Sequence, residues 1–508
     1  MLLNKCFISA LLFFSLFYYS LAQYTPIQSI SENSLMRHVS FLAADSLQGR
    51  KPGTPGLETA AGYLCSEAKK AGLKPGTANY FQYFELIASR PDIKNSFLKI
   101  SGAANHLTDS LVCLNQNTEH LEISGEVVFA GFGFQEGKNG YDDLKGVEIN
   151  GKIVVCSAGS PEIFKKNRSF RWQNRLEQKK TERLFEKGVL AVVLVTNPKD
   201  SANRTFNKIY TCMDRQRYSL KPDTASAEKK IFITIPEFAD NFLGEKDAWK
   251  NYLAEIADRN KPIPGYPENA TIEIQSSQFI KTRAAKNVVG LIEGSDPALK
   301  NECVVYMAHY DHLGTDSEGN IFNGADDNAT GCAALLEIAK TFQQPEFQPD
   351  RSILFLWVTG EETGLLGSGY YASHPVFPIK NTAACINLDM IGRVYEPRDS
   401  VWENLPKLVK NFDGIYTLVS DFNSNLVQLT DSISNEMGLI PDKSLPEYFF
   451  RTSDHYHFHS RNVPILNLST GYHADYHKVT DEASRIRYDK MKRVTELSFW
   501  IGVKMAGN

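Results

Sequence analysis

The chain has 508 residues, 22% of them charged and 42% hydrophobic, and a formal net charge of −4. That length exceeds one ordinary domain, and the composition is that of a folded globular chain. The small acidic balance excludes a broad basic field, so no nucleic-acid partner is expected.

The first residues, MLLNKCFISALLFFSLFYYSLAQ, place Lys5 before a run rich in Leu and Phe and end on small residues at Ser20 and Ala22. They read as a secretory signal over residues 1–22, cleaved before Gln23 to give an exported, periplasmic or extracellular product. No second long apolar run follows, so no stable membrane insertion is expected after cleavage. Of the 8 cysteines, Cys6 lies in this leader, and the odd remainder cannot pair completely within one chain. Cys303, Cys332 and Cys385 sit in apolar stretches and read as small buried residues. Nothing in their spacing suggests a cysteine-ligated metal.

Residues 23–115 are assigned to the N-terminal part of a catalytic domain. Two helical patterns, SLMRHVSFLAADSLQGR and GLETAAGYLCSEAKKAGL, flank RKPGTPG, whose Pro and Gly forbid regular structure. Residues 116–277 change texture. GEVVFAGFGF, GKIVVCSAG and GVLAVVLVTN are short β-branched runs bounded by glycine, the pattern of strands in a small β-rich insert. Residues 278–508 return to the catalytic domain. NVVGLIEG, VVYMAHY, ILFLWVTG, AACINLDM and PILNLST read as strands, with helical stretches such as CAALLEIAKTFQQ between several of them. That alternation predicts an α/β fold with a largely parallel central sheet flanked by helices.

In open α/β sheets functional groups collect beyond the carboxyl ends of the strands. His309 closes VVYMAH, Glu361 and Glu362 follow LFLWVTG, Asp389 closes INLD, and His477 follows PILNLST by one loop. Asp326, in NGADDNATG, leads into the next helix. Two histidines and three carboxylates suit zinc, and a shared carboxylate can hold two cations around an activated water. Of the adjacent glutamates, one can ligate while the other moves protons as general base and then acid. Asp311 could accept a hydrogen bond from the imidazole of His309 and fix its tautomer.

The strings AHYDHLG, NGADDNATG, GEETGLLGS, NLDMIGR and DYHKVTDE, in that order, resemble the zinc exopeptidase family of aminopeptidase Y and glutamate carboxypeptidase II. The resemblance implies two zinc ions per chain, His309 and Asp389 on one, Glu362 and His477 on the other. Asp326 would bridge them, Glu361 would be the acid/base, and Asp327 would be a turn or cap residue. It also implies a peptide substrate, with Tyr476 able to donate to a developing oxyanion. GEVVFAGFGF, YDDLKGVEINGKIVV and GVLAVVLV resemble the protease-associated domain that many members carry as an insert.

The expectation is a secreted di-zinc aminopeptidase. A carboxypeptidase of the same fold would need a cation for the substrate's terminal carboxylate, and Arg393 and Arg451 are the nearest candidates. A glutaminyl cyclase uses one zinc and fits the full ligand set less well. A metal-free receptor-like or scaffold member should lack a ligand or the base, and none is missing.

Overall fold

Fully buried strands form the centre of one unit of the molecule. The computed structural model describes residues 24, 27–100, 106–108, 111–113, 118–136, 141–161, 170–197, 216–221, 229–259, 270–401 and 407–507. The expected signal segment lies outside them. Two compact units emerge, one of Met1–Glu85 with Ala284–Asn508, the other of Leu86–Arg283.

In the first unit, β1 (Cys303–His309), β2 (Ser352–Val358), β3 (Thr382–Leu388), β4 (Gly414–Val419) and β5 (Ile465–Ser469) carry the sheet. β1 lies between β2 and β3, parallel to both, and β3 pairs in parallel with β5. The edges are antiparallel. β4 runs against β5, and residues Val288–Ile292 run against β2. Every residue of β1 and β2 is buried, which is why both read as continuous apolar runs rather than alternating ones. Alternate residues serve opposite faces. Val304, Tyr306 and Ala308 pack in one apolar cluster, Val305 and Met307 in another.

Helices α1 (Glu32–Leu42), α2 (Pro55–Lys70), α3 (Gly331–Thr341) and α4 (Tyr488–Met505) bury apolar faces in the first of these clusters. Ser31 and Thr54 cap the first two, each side-chain oxygen accepting a backbone N–H of the opening turn. α3 is buried nearly all round, so it cannot shift without disturbing the sheet. That rigidity matters because the ADDN turn feeds directly into it. Cys303, Cys332 and Cys385 are buried, as their apolar settings suggested.

The second unit has its own core. Residues Val127–Phe129 pair in parallel with Ile153–Ser157, which pairs in parallel with Ala191–Val195, itself parallel to Ile231–Thr234. The three glycine-bounded runs are strands, but helices Phe170–Glu186, Pro236–Leu243 and Ala248–Arg259 accompany them, so the unit is less purely β than the sequence suggested. Its borders also differ from the expected 115/116 and 277/278. Leu86–Ser89 pairs with Arg217–Leu220, and Phe97–Ile100 pairs with Ile272–Gln275. Those ladders draw Leu86–Ser89 and Phe97–Ile100 into the second unit.

Candidate metal centre

At the carboxyl end of β1 stands His309, 1% exposed. Its Nδ1 lies 3.2 Å from the backbone oxygen of Asp311 and 3.9 Å from that residue's carboxylate. The carbonyl, not the expected carboxylate, is therefore the nearer acceptor for the Nδ1 proton, and Nε2 is left bare. Asp311 is fully buried and its Oδ1 instead accepts the backbone N–H of Glu361 at 3.2 Å. Burial pushes the Asp311 carboxyl up to about 6.

The Nε2 of His309 faces Asp327 Oδ1 at 3.2 Å and Asp389 Oδ1 at 3.5 Å. The other oxygen of Asp327, Oδ2, faces His477 Nε2 at 3.2 Å, and the same nitrogen lies 3.1 Å from Glu362 Oε2. Asp327 thus presents one oxygen to each histidine, the position the family pattern had given to Asp326. The correction has a local cause. Asp326 Oδ1 accepts the N–H of Gly392 at 2.7 Å and lies 3.3 Å from the hydroxyl of Thr330, one helical turn on. Its Oδ2 lies 3.3 Å from His473. Asp326 is fully buried with its oxygens at Gly392, Thr330 and His473, whereas Asp327, expected as a turn residue, faces His309 and His477. The backbone N–H groups of both aspartates donate to the carboxylate of Asp481, which holds the turn.

Each outer carboxylate divides its oxygens. Asp389 Oδ2 accepts the hydroxyl of Ser453 at 2.7 Å, and Ser453 is itself held by Asn387. Glu362 Oε1 meets His312 Nδ1 at 2.7 Å. Among the described residues, two groups are compact enough to hold an ion: His309, Asp327 and Asp389, and Asp327, Glu362 and His312. The distances above bring His477 to that second group as well.

Zinc bound at about 2.0–2.1 Å to nitrogen and oxygen in a tetrahedron sets neighbouring donors about 3.3 Å apart. The four contacts of His309 and His477 fall close to that value. His477 Nε2 is buried yet makes no well-formed hydrogen bond, as a nitrogen aimed at an ion rather than at a proton acceptor should. The donor set fits a pair of such ions.

Glu361 is enclosed beside these groups. Burial and the neighbouring Glu362, Asp454 and Asp389 carboxylates outweigh the opposing pull of His309 and hold its carboxyl well above the usual range. Tyr476 stacks on His477 with ring centroids 3.8 Å apart, and burial together with the Asp327 and Glu362 charges keeps its phenol protonated. Arg393 is 2% exposed and tied to Asp475 at 2.9 Å, so it is no free cation for a substrate. The sequence reading missed Asp327 as a donor, and Ser453 and His312 as partners of Asp389 and Glu362. Only the DD pair carried a usable signal, and nothing in it says which aspartate turns inward.

Fold and site define the class: an α/β unit with paired histidine–carboxylate groups of the metal-binding kind at its sheet edge. Residues 287–500 match the model of Peptidase family M28. Among curated proteins, aminopeptidase YwaD of Bacillus subtilis strain 168 is 25% identical over 238 residues, 45% of this chain and 46% of that protein. Probable leucine aminopeptidase 2 of Arthroderma benhamiae is 28% identical over 286 residues, 54% of this chain and 53% of that protein. The chain thus spans about half the length of these curated relatives. Among solved structures, the aminopeptidase from Aneurinibacillus sp. strain AM-1 shares the fold, with a TM-score of 0.53 and 18% identity over 94% of this chain and 95% of that one. Among the described residues, no helix is long and apolar enough to cross a membrane.

Proposed function

We propose that the chain is an exported di-zinc aminopeptidase. The observation that carries the reading is Asp327, whose two oxygens face the bare Nε2 atoms of His309 and His477. His309, Asp389 and Asp327 would hold one zinc. His477, Glu362 and Asp327 would hold the other. When bound, such a pair supplies Lewis-acid polarisation of the scissile carbonyl and lowers the pKa of the attacking water.

The chain's own residues supply the rest. Glu361, beside Glu362 and outside both donor groups, takes the proton from the attacking water and returns it to the leaving nitrogen. Tyr476 keeps its proton and donates towards the oxyanion. Surrounding carboxylates favour a substrate's free α-ammonium group. Beside Asp389 a recess walled by Met390, Tyr416, Leu445, Phe449 and Tyr472 suits an apolar first side chain. The carboxypeptidase alternative loses one of its two candidates, because the guanidinium of Arg393 is buried and paired. The apolar leader supports export and the names of the relatives support a peptidase, and the Leu86–Arg283 unit is proposed as a protease-associated-like insert.

The test pairs metal analysis with substrate choice. Zinc-replete protein should hold close to two zinc ions per chain and should cleave free-amine leucyl peptides over N-blocked ones. Cleavage of blocked peptides alone would end the aminopeptidase reading.

A further inference from the structure

The Nδ1 of His312 lies 2.7 Å from Glu362 Oε1 and 3.8 Å from Asp327 Oδ2. By proximity alone it could be a third donor to the second ion. The distances decide otherwise. Donors sharing one tetrahedral zinc stand about 3.3 Å apart, whereas 2.7 Å is the length of an N–H···O bond to a carboxylate. We infer that His312 is a positioning residue that donates its Nδ1 proton to one oxygen of Glu362 and so turns the other towards His477. The inference rests on the di-zinc reading above.

The ring is placed for this and little else. His312 is 1% exposed. Gly324 has a φ of +57°, and a Cβ there would stand 2.5 Å from His312 Cγ and Cδ2, so the glycine lets the ring lie against the ADDN turn. The backbone N–H of His312 donates to the carbonyl of Arg50. That arginine in turn donates to the carbonyls of Tyr310, Asn323 and Gly324, tying the two loops together around the histidine. His312 Nε2 has no hydrogen-bond partner among the described residues, so Glu362 is the ring's one polar contact within hydrogen-bond distance. With Oε1 occupied, Glu362 offers a single oxygen, Oε2, 3.1 Å from His477 Nε2. The arrangement parallels Ser453 on Asp389, but with a rigid ring in place of a rotatable hydroxyl.

The experiment is zinc competition against a chromophoric chelator, on the full chain, for wild type, His312→Leu and His312→Asn. Near-ultraviolet circular dichroism checks that each variant is folded. His312→Leu should keep one zinc at wild-type affinity and bind the other about 10–100-fold more weakly, the usual cost of losing a partner behind a metal ligand. His312→Asn, whose amide N–H can take the place of Nδ1–H, should recover most of that loss. Wild-type affinity for both ions in His312→Leu overturns the inference. So does failure of His312→Asn to recover, if cobalt substitution also shows one nitrogen ligand fewer, for His312 would then be a ligand itself. A wild type that never takes a second zinc defeats the parent reading as well, and that outcome appears before any variant is made.

Discussion

Two buried aspartates, one in each unit, show what separates a structural carboxylate from a reactive one. Asp143, in the Leu86–Arg283 unit, is 1% exposed. Its Oδ2 accepts the N–H groups of Phe132 and Phe134, and its Oδ1 accepts the hydroxyl of Tyr141. Asp327, 4% exposed in the other unit, has its oxygens opposite two imidazole nitrogens. Both carboxylates have lost water, at a cost that must be offset. Asp143 recovers part of it from fixed donors of its own chain. Asp327 faces atoms that would themselves rather bind a cation, so its charge is best balanced by an ion the chain does not supply. Asp326 sits beside Asp327 in sequence but belongs with Asp143, since Gly392 and Thr330 satisfy one of its oxygens.

The sharpest way to break this contrast is Asp327→Asn against Asp326→Asn. Asp327→Asn removes the oxygen pair shared by both histidines, so both zinc ions and essentially all turnover should be lost. Asp326→Asn should retain both ions, because Asn can still accept the N–H of Gly392. Elemental analysis reads the outcome directly. Two ions retained in Asp327→Asn, or none in Asp326→Asn, would return the bridge to the residue first expected. Next in size comes Glu361→Gln. It should keep both ions, because Glu361 lies in neither donor group. Turnover should fall by roughly 10²–10⁴-fold, the usual contribution of a general base. Unchanged turnover would remove Glu361 from proton transfer.

Legibility in the sequence followed the same division. The continuous apolar runs of β1 and β2, and the glycine-bounded runs of the second unit, could be read because burial on both faces leaves a compositional trace. His309, Glu362 and Asp389 could be proposed as ligands because strand ends can be located from such runs. The choice between Asp326 and Asp327 was not visible. It depends on which carboxylate the turn rotates towards Gly392 and Thr330, partners 66 and 4 residues away. His312 and Ser453 were hidden for a related reason. Each acts on a ligand 50 or more residues distant, and no local pattern encodes that contact. The unit borders slipped because strand pairing of Leu86–Ser89 and Phe97–Ile100 is equally non-local.

The smallest effect belongs to Asp143 and tests the other side of the comparison. Burial raises its carboxyl from 3.8 to about 6, against the pull of the Phe134, Tyr141 and Phe132 hydrogen bonds. A folded-state pKa above the unfolded value means the folded unit binds the proton more tightly. The stabilisation is therefore complete below about pH 4 and is lost as pH rises through 6. Asp143→Asn keeps an acceptor for the two backbone N–H groups and can offer an N–H to Tyr141, but it does not titrate. The variant should lose a pH dependence on the order of 2 kcal/mol, leaving zinc content unchanged. Urea unfolding followed by hydrogen exchange in Ile153–Ser157, at pH 4.5 and pH 7, measures it. An equal slope with pH in wild type and variant would mean that the backbone donors already cancel the cost of burial. The contrast with Asp327 would then lie in geometry alone, with no trace in proton affinity.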